Sequence, residues 1–326
     1  MYFLVILYHI LPNFVYGCIL SLYVEIFSFF LHISIEHLFF LCYIILNKKD
    51  LILDLFFVLL YNTEGGNFML QFNNIYNEDA ISGLKQVQDG SIDLLIADPP
   101  YFKVINEKWD YLWRTEDDYI EWSKNWLSEA CRTLRKGGSF YLFGYFRMLS
   151  HLLPILEDLG FELRQQIVID KGIQAVSGRA TKNYKMFPNV TESILFLVKD
   201  SKPFVKSFLK NRQKQLHLTS KEINESLGVK SNGGGMWSIY TGNNVCKQLP
   251  TKELWDKLSK ILDFDIPYSD IQMTFNAQMG LTDVWSDINF YSEKRIHPTQ
   301  KPESLINRLV LASSNPNDNV LDPFMR

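Results

Sequence analysis

The pattern of hydrophobic and polar positions divides this chain near residue 62. Residues 1–62 are apolar almost throughout, and 38 of them are Phe, Leu, Ile or Tyr. From residue 72 onward, short apolar runs alternate with segments in which apolar residues recur at helical spacing. This alternation predicts strands at 74–77, 92–97, 139–144, 163–170 and 193–198, and helices at 80–87, 117–136 and 150–159. Repeated strand–helix units predict an α/β fold with a doubly wound sheet, which binds ligands at the carboxyl ends of its strands.

Two interpretations of residues 1–62 stay open. Tyr2 to Val24 is a run of 23 uncharged residues, long enough to cross about 30 Å of hydrocarbon as a membrane anchor. However, the segment contains no Ala or Thr, which membrane helices use for packing, and its composition is typical of translated AT-rich noncoding DNA. Residues 64–68 can be encoded by a bacterial ribosome-binding sequence placed before a start codon. We therefore expect the working protein to begin at Met69.

Charge and cysteine content narrow the function classes only slightly. From Met69 onward there are 31 basic and 31 acidic residues, so the net charge argues neither for nor against a nucleic-acid partner. The four cysteines lie far apart with no CxxC pair, which excludes a zinc ribbon and argues against a disulfide framework. We expect no metal site and a reducing, cytoplasmic location.

An acid, two prolines and an aromatic residue directly follow the predicted strand at 92–97: Asp98, Pro99, Pro100 and Tyr101. A simple turn is one interpretation, because Asp-Pro and Pro-Pro pairs commonly mark turns. The motif also resembles the DPPY-type motif of the DNA amino-methyltransferases, which surrounds an amino nitrogen of a base swung out of the duplex. This resemblance implies that Asp98 and the Pro99 carbonyl accept hydrogen bonds from the amine, and that Tyr101 stacks on the base.

The resemblance also implies a methyl donor, S-adenosylmethionine, and a double-stranded DNA substrate. Asp in the first motif position is more similar to the adenine-N6 enzymes than to the cytosine-N4 enzymes. A restriction–modification context, with a cognate restriction endonuclease as partner, is implied as well. Cytosine-N4 transfer, a DNA-binding remnant without catalysis, and a membrane protein with a cytoplasmic tail remain as alternatives.

Further motifs follow the permuted order of that family, in which the catalytic motif precedes the cofactor loop. Residues 297–302 read HPTQKP, which resembles the family motif that opens a helix on the cofactor side. Residues 169–172 and 191–196 resemble two late strands that line the base pocket. The cofactor-binding residues implied are Asp79, His297, Thr299, Gln300, Lys301, Asp322, Pro323 and Phe324. The family more often has Gly where Glu78 stands.

Residues 201–262 carry eleven basic residues against four acidic ones, a local excess in a chain that otherwise balances. Residues 218–229 resemble the first helix and turn of a helix-turn-helix, and 250–262 match a closing amphipathic helix. We interpret this insertion as the DNA-recognition module. A basic helical subdomain without base contacts is the alternative. The DNA-binding residues expected are Lys206, Lys210, Arg212, Lys214, Lys230, Gly234, Trp237 and Tyr240.

The predicted organisation has four parts: an apolar extension at 1–68, a catalytic half at 69–200, the insertion at 201–265 and a cofactor-binding half at 266–326. The resemblance predicts a circularly permuted, Rossmann-like methyltransferase sheet that is incomplete at its C-terminus. Residues 319–324 resemble the start of the cofactor loop, which continues in the family through glycines, whereas this chain continues with Met325 and Arg326. We therefore expect weak or no binding of S-adenosylmethionine and doubtful activity.

Overall fold

A computed structural model describes residues 72–325 apart from 104–110, 177–184, 186, 229–234, 243–247, 292, 295–296 and 298. Two compact units make up the chain, Met1–Phe68 and Met69–Arg326. The predictions for residues 1–68 lie outside the described residues. Within the described part, no helix is both long and apolar enough to cross a membrane.

Six strands and eight α-helices follow one another along the described residues. In chain order they are α1 (Ala80–Lys85), β1 (Ile92–Ala97), α2 (Glu116–Thr133), β2 (Leu134–Gly144), α3 (Phe146–Asp158), β3 (Phe161–Asp170), β4 (Thr191–Lys199), α4 (Lys202–Gln215), α5 (Ser220–Ser226), α6 (Gly235–Thr241), α7 (Lys252–Ile261), β5 (Val284–Trp285), α8 (Glu303–Ser313) and β6 (Val320–Leu321). The strands form one sheet in the order β5-β3-β4-β2-β1-β6. The α/β fold class predicted from the sequence is therefore confirmed.

The sheet is mixed, because β4 runs antiparallel to both of its neighbours. β1 is parallel to β2 and β6, and β3 is parallel to β5, whereas β4 pairs antiparallel with β2 and β3. Gly144 at the end of β2 thus pairs with Ser193 near the start of β4. As a result, the first residues of β4 lie beside the carboxyl ends of β1 and β2.

Most predicted elements are present, and two predictions are wrong. Residues 74–77 are described but form no strand. The helix predicted at 117–136 ends at Thr133, and the residues after it, including Gly137, lie inside β2. Gly137 lets this strand pass close to the backbone of Ile271 and Gln272.

Alternate residues of β1 pack against opposite layers, which is typical of a sheet covered on both faces. One core contains Leu95 and Ala97 with residues of α2 and α3: Trp126, Leu127, Leu149 and Leu152. The other contains Leu94 and Ile96 with Tyr141, Phe196, Leu305 and Leu309. β1 is therefore fixed from both sides, and so is the point at which the chain leaves it.

The inserted helices α4 to α7 have a hydrophobic core of their own. It is made of Val205, Leu209, Ile223, Leu227, Trp237, Tyr240, Trp255, Leu258, Leu262 and Ile271. A capping box begins α5, and a threonine cap begins α7. The helical insertion predicted from the sequence is thus a packed subdomain.

Gly137 provides a test of the close contact between β2 and the backbone at residues 271–272. Its φ is +74°, and a Cβ atom there would lie 2.7 Å from the carbonyl oxygens of Ile271 and Gln272. Gly160 has a φ of +93° with nothing within 4 Å, so it isolates the conformational cost. We expect Gly160→Ala to lower the free energy of unfolding by about 1–2 kcal/mol. Gly137→Ala should lower it by roughly 1–3 kcal/mol more, because backbone must move. Equal losses in urea titrations would contradict the close contact.

Candidate active site

Asp98 leaves the carboxyl end of β1 and meets a lysine from a distant part of the chain. The Lys301 ammonium donates to Asp98 Oδ2 at 2.8 Å, across 203 residues of sequence. Lys301 precedes α8, whose buried leucines pack on the face of the sheet that includes Leu94 and Ile96. The packing of α8 therefore brings the 297–302 motif to the end of β1.

Asp98, Tyr101, Glu192 and Lys301 form a closed cluster, and Lys171 joins it through Glu192. Tyr101 places its hydroxyl 2.7 Å from Asp98 Oδ1 and 2.9 Å from Glu192 Oε1, and it donates its proton to one of them at a time. The Lys301 ammonium lies 3.0 Å from the same Glu192 oxygen. Lys171 lies 3.6 Å from Glu192 Oε2. Two carboxylates and two ammonium groups thus balance in charge.

The cluster is largely closed to solvent: the side chains of Glu192 and Lys301 are 9% and 10% exposed, and that of Asp98 is 20% exposed. Burial raises the pKa of Tyr101 well above its usual value, and the adjacent carboxylates raise it further. Burial alone would lower the pKa of Lys301, but Asp98 and Glu192 outweigh it and raise that pKa. Burial would raise the pKa of Glu192, but Lys301 and Lys171 outweigh it and lower that pKa. Lysine and glutamate are therefore both ionised at neutral pH.

Aromatic residues support the DPPY segment from one side. The Tyr119 hydroxyl donates to the Pro100 carbonyl at 2.9 Å, which fixes the turn. The ring of Tyr119 contacts those of Phe102 and Trp113. Lys301 Nζ lies 5.4 Å from the centroid of the Tyr101 ring. The segment is thus held by hydrogen bonds and ring contacts on both sides of Tyr101.

The residues implied for cofactor binding do not all meet at one place. Asp79 caps α1 by accepting from the Ser82 amide, and it lies at the surface. His297 Nδ1 lies 2.9 Å from Thr299 Oγ1, and the Gln300 amide donates to the His297 carbonyl, so these residues form a turn. The Lys301 ammonium is bound to the carboxylates of Asp98 and Glu192.

The turn after β6 does fit part of S-adenosylmethionine. β6 pairs with β1 through Leu321 and Leu95, so Asp322 and Pro323 follow the strand next to Asp98. Phe324 packs 4.9 Å from the ring of Trp126. Among the described residues, Trp126 Nε1 and Ser123 Oγ are buried without a hydrogen-bond partner, one turn apart on α2. An acidic side chain near an aromatic ring suits a cationic ligand that carries an adenine.

The structure corrects the set expected to bind DNA. Trp237 and Tyr240 are buried in the core of the helical subdomain, so the prediction that they contact bases is wrong. Arg212 donates to the backbone carbonyls of Leu262 and Asp263 and thereby holds the end of α7. Lys210 and Lys214 are exposed on α4 and Lys206 is partly exposed. Lys230 and Gly234 lie outside the described residues.

Glu192 and Lys171 were not among the expected site residues, although both belong to segments that the family resemblance placed at the base pocket. Glu192 is an acid at the start of a strand that is otherwise apolar, and this position was a signal in the sequence. The contact of Glu192 with Tyr101 depends on the antiparallel direction of β4, which the apolar pattern does not reveal.

Fold and site together define an α/β protein with a neutral ionic cluster at the carboxyl ends of its central strands. A family described as DNA methylase matches residues 92–325, which is more than half of the chain. The chain therefore belongs to the DNA methylase family.

Individual relatives are similar over much of the chain. The Type II methyltransferase M.HpaI of Haemophilus parainfluenzae is 29% identical over 256 residues, which cover 76% of this chain and 62% of that protein. The DNA adenine methyltransferase YhdJ of Escherichia coli K12 is 27% identical over 267 residues, which cover 80% and 74%. A solved complex of M1.HpyAVI with SAM is 20% identical, with a TM-score of 0.41, and the match covers 77% of this chain and 82% of that one. The chain thus spans about six tenths of the length of M.HpaI.

Proposed function

We propose that this chain is a DNA methyltransferase that transfers a methyl group from S-adenosylmethionine to N6 of adenine in double-stranded DNA. The observation that carries the proposal is the Asp98 carboxylate, held by Lys301 and Tyr101 at the end of β1. The family match and the similarity to a relative named DNA adenine methyltransferase support the same activity. A restriction endonuclease that cuts the same DNA sequence is the partner expected on this proposal.

The chemistry explains why an acid and a proline stand together. The exocyclic amine of adenine is a poor nucleophile, because its lone pair is conjugated with the ring. Asp98 and the Pro99 carbonyl would accept the two N–H groups and favour a geometry in which the lone pair can attack. Each carboxylate oxygen has two acceptor positions, so Asp98 can bind the amine while Lys301 and Tyr101 remain in place.

Other residues would hold the two substrates. S-adenosylmethionine supplies a methyl group activated by a sulfonium, and Asp322 and Phe324 would contact this cofactor. The ring of Tyr101 would stack on the extruded base, which is worth roughly 1–3 kcal/mol. Extrusion itself costs a few kcal/mol. Binding of the base in the pocket therefore has to offset its loss from the duplex.

A transfer assay tests the proposal. The full chain is incubated with methyl-labelled S-adenosylmethionine in large excess and with duplex DNA of random sequence. Duplex RNA and protein serve as alternative acceptors. We expect label in DNA alone. Label absent from DNA, in a sample whose circular dichroism shows folded protein, would refute the proposal.

Exposed lysines of α4 are proposed to contact DNA phosphates. We expect Lys210→Gln combined with Lys214→Gln to weaken DNA binding and to reduce the slope of log K against log salt concentration by about 2, since each lost phosphate contact removes about 1. Fluorescence anisotropy at a series of salt concentrations measures the slope.

The matched control replaces two exposed lysines elsewhere, Lys85 and Lys124, by glutamine. This control variant should keep the slope of the original protein. An identical slope in both double variants would show that α4 does not contact DNA phosphates.

A further inference from the structure

We propose that Glu192 is a positioning residue of this site: it holds Lys301 and Tyr101 in place, so that the Asp98 carboxylate keeps one orientation toward the target amine. The inference rests on the proposed methyl transfer to an amino group of DNA. It adds a second carboxylate, from another strand, to the set that the DPPY motif defines.

The geometry gives Glu192 and Asp98 the same two donors. The Lys301 ammonium lies 2.8 Å from Asp98 and 3.0 Å from Glu192. The Tyr101 hydroxyl lies 2.7 Å from Asp98 and 2.9 Å from Glu192. Neither donor can move toward one carboxylate without lengthening its contact with the other. The four side chains therefore form a closed ring in which Glu192 determines where the partners of Asp98 lie.

Glu192 itself is firmly placed. It is the second residue of β4, and its neighbours Thr191 and Ser193 pair with β3 on one side while Ser193 also pairs with β2. Its carboxylate is 9% exposed and has a second cation, Lys171, at 3.6 Å. A residue anchored on an inner strand can fix the lysine and tyrosine side chains that bind it, because its own backbone is paired with strands on both sides.

The negative charge of Glu192 also helps to hold Lys301. Without the Glu192 carboxylate, Lys301 would keep Asp98 as its one carboxylate partner in the cluster, and Lys171 would lose its contact with the cluster. Lys301 carries a raised pKa because of both carboxylates, against the effect of burial. The titratable groups facing Glu192 are Lys301, Lys171 and Tyr101, while Asp170 on the adjacent strand accepts from the Gly172 amide. Removal of the Glu192 charge should therefore lower the pKa of Lys301.

The experiment compares Glu192→Gln and Glu192→Ala with the unchanged full chain, using kcat and KM for DNA in the transfer assay across pH. Displacement of reacting groups by about 1 Å costs on the order of 100-fold in rate, so we expect kcat to fall about 100-fold in Glu192→Ala and about 10-fold in Glu192→Gln, which keeps an acceptor oxygen. KM for DNA should stay within about twofold, because DNA contacts are unchanged. The alkaline limb of the kcat profile should move to lower pH in Glu192→Gln.

Glu162→Gln is the matched control, because Glu162 also binds a lysine, Lys202, but at the other end of the sheet. It should leave kcat and the pH profile unchanged. If the unchanged chain methylates no DNA, the proposed function fails and the role of Glu192 fails with it. If the unchanged chain is active and both Glu192 variants keep kcat within about twofold, only the role of Glu192 is refuted. A loss of kcat that follows loss of folded protein, with an unmoved alkaline limb, also refutes it.

Discussion

Replacement of Asp98 by asparagine should reduce kcat for DNA methylation by about 100- to 1,000-fold, the usual loss when a preorganised polar group at the reacting atom is removed. Asparagine keeps the shape of the side chain but removes its charge, and its amide group would present donors to an amine that needs acceptors. The effect should appear in kcat at saturating S-adenosylmethionine, since Asp98 is expected to act on the amine and not on the cofactor.

The control for this variant is DNA affinity measured by fluorescence anisotropy, which should not change. Asp200→Asn is a matched substitution, because Asp200 lies 3.6 Å from a lysine ammonium at the opposite end of β4. It should keep full activity. Equal rates for Asp98→Asn and Asp200→Asn would show that Asp98 does not take part in the reaction.

Replacement of Lys301 by methionine should destabilise the fold strongly. The side chain is 10% exposed, and its removal leaves the carboxylates of Asp98 and Glu192 without their shared ammonium. Breaking a buried ion pair from one side costs about 3–5 kcal/mol. Urea unfolding at pH 7 measures this loss.

The pH dependence of this loss follows from the pKa of Glu192, which lies below its ordinary value of 4.5. A carboxylate with a lowered pKa stabilises the fold above its ordinary pKa, and this contribution is lost as the pH falls through the lowered value. The difference in the free energy of unfolding between Lys301→Met and the unchanged chain should therefore be largest at neutral pH and shrink below pH 4.5.

Lys202→Met is the control for Lys301→Met, because the Lys202 ammonium also meets two carboxylates, those of Glu162 and Asp200, but is 25% exposed. Ion pairs that water reaches contribute about 0–1 kcal/mol. If the two variants lose similar amounts of unfolding free energy, the ion pairs of Lys301 are not more buried from water than those of Lys202.

Local features of the sequence were sufficient for the elements that carry the chemistry. The apolar run at 92–97 predicts β1, and a motif of rigid residues behind it predicts where Asp98 and Tyr101 lie. The helix after residue 302 was also expected, because residues 297–302 resemble a family motif that opens a helix. These features depend on neighbours within one or two turns of chain, which a sequence displays directly.

Contacts between distant segments could not be predicted in the same way. The ring that joins Asp98, Glu192 and Lys301 depends on the antiparallel direction of β4 and on the packing of α8. Trp237 and Tyr240 were expected to contact bases, yet the subdomain uses them as core. Gly137 follows the predicted end of a helix, but it lies inside β2, against the backbone of Ile271 and Gln272.

The identity of the methylated nucleoside tests directly whether Asp98 holds the amine of an adenine for methyl transfer. DNA incubated with the full chain and methyl-deuterated S-adenosylmethionine is digested to nucleosides and analysed by mass spectrometry, alongside an Asp98→Asn sample. We expect deuterated N6-methyldeoxyadenosine from the unchanged chain and almost none from Asp98→Asn. Deuterated N4-methyldeoxycytidine in its place, or equal amounts of product from both proteins, would contradict this expectation.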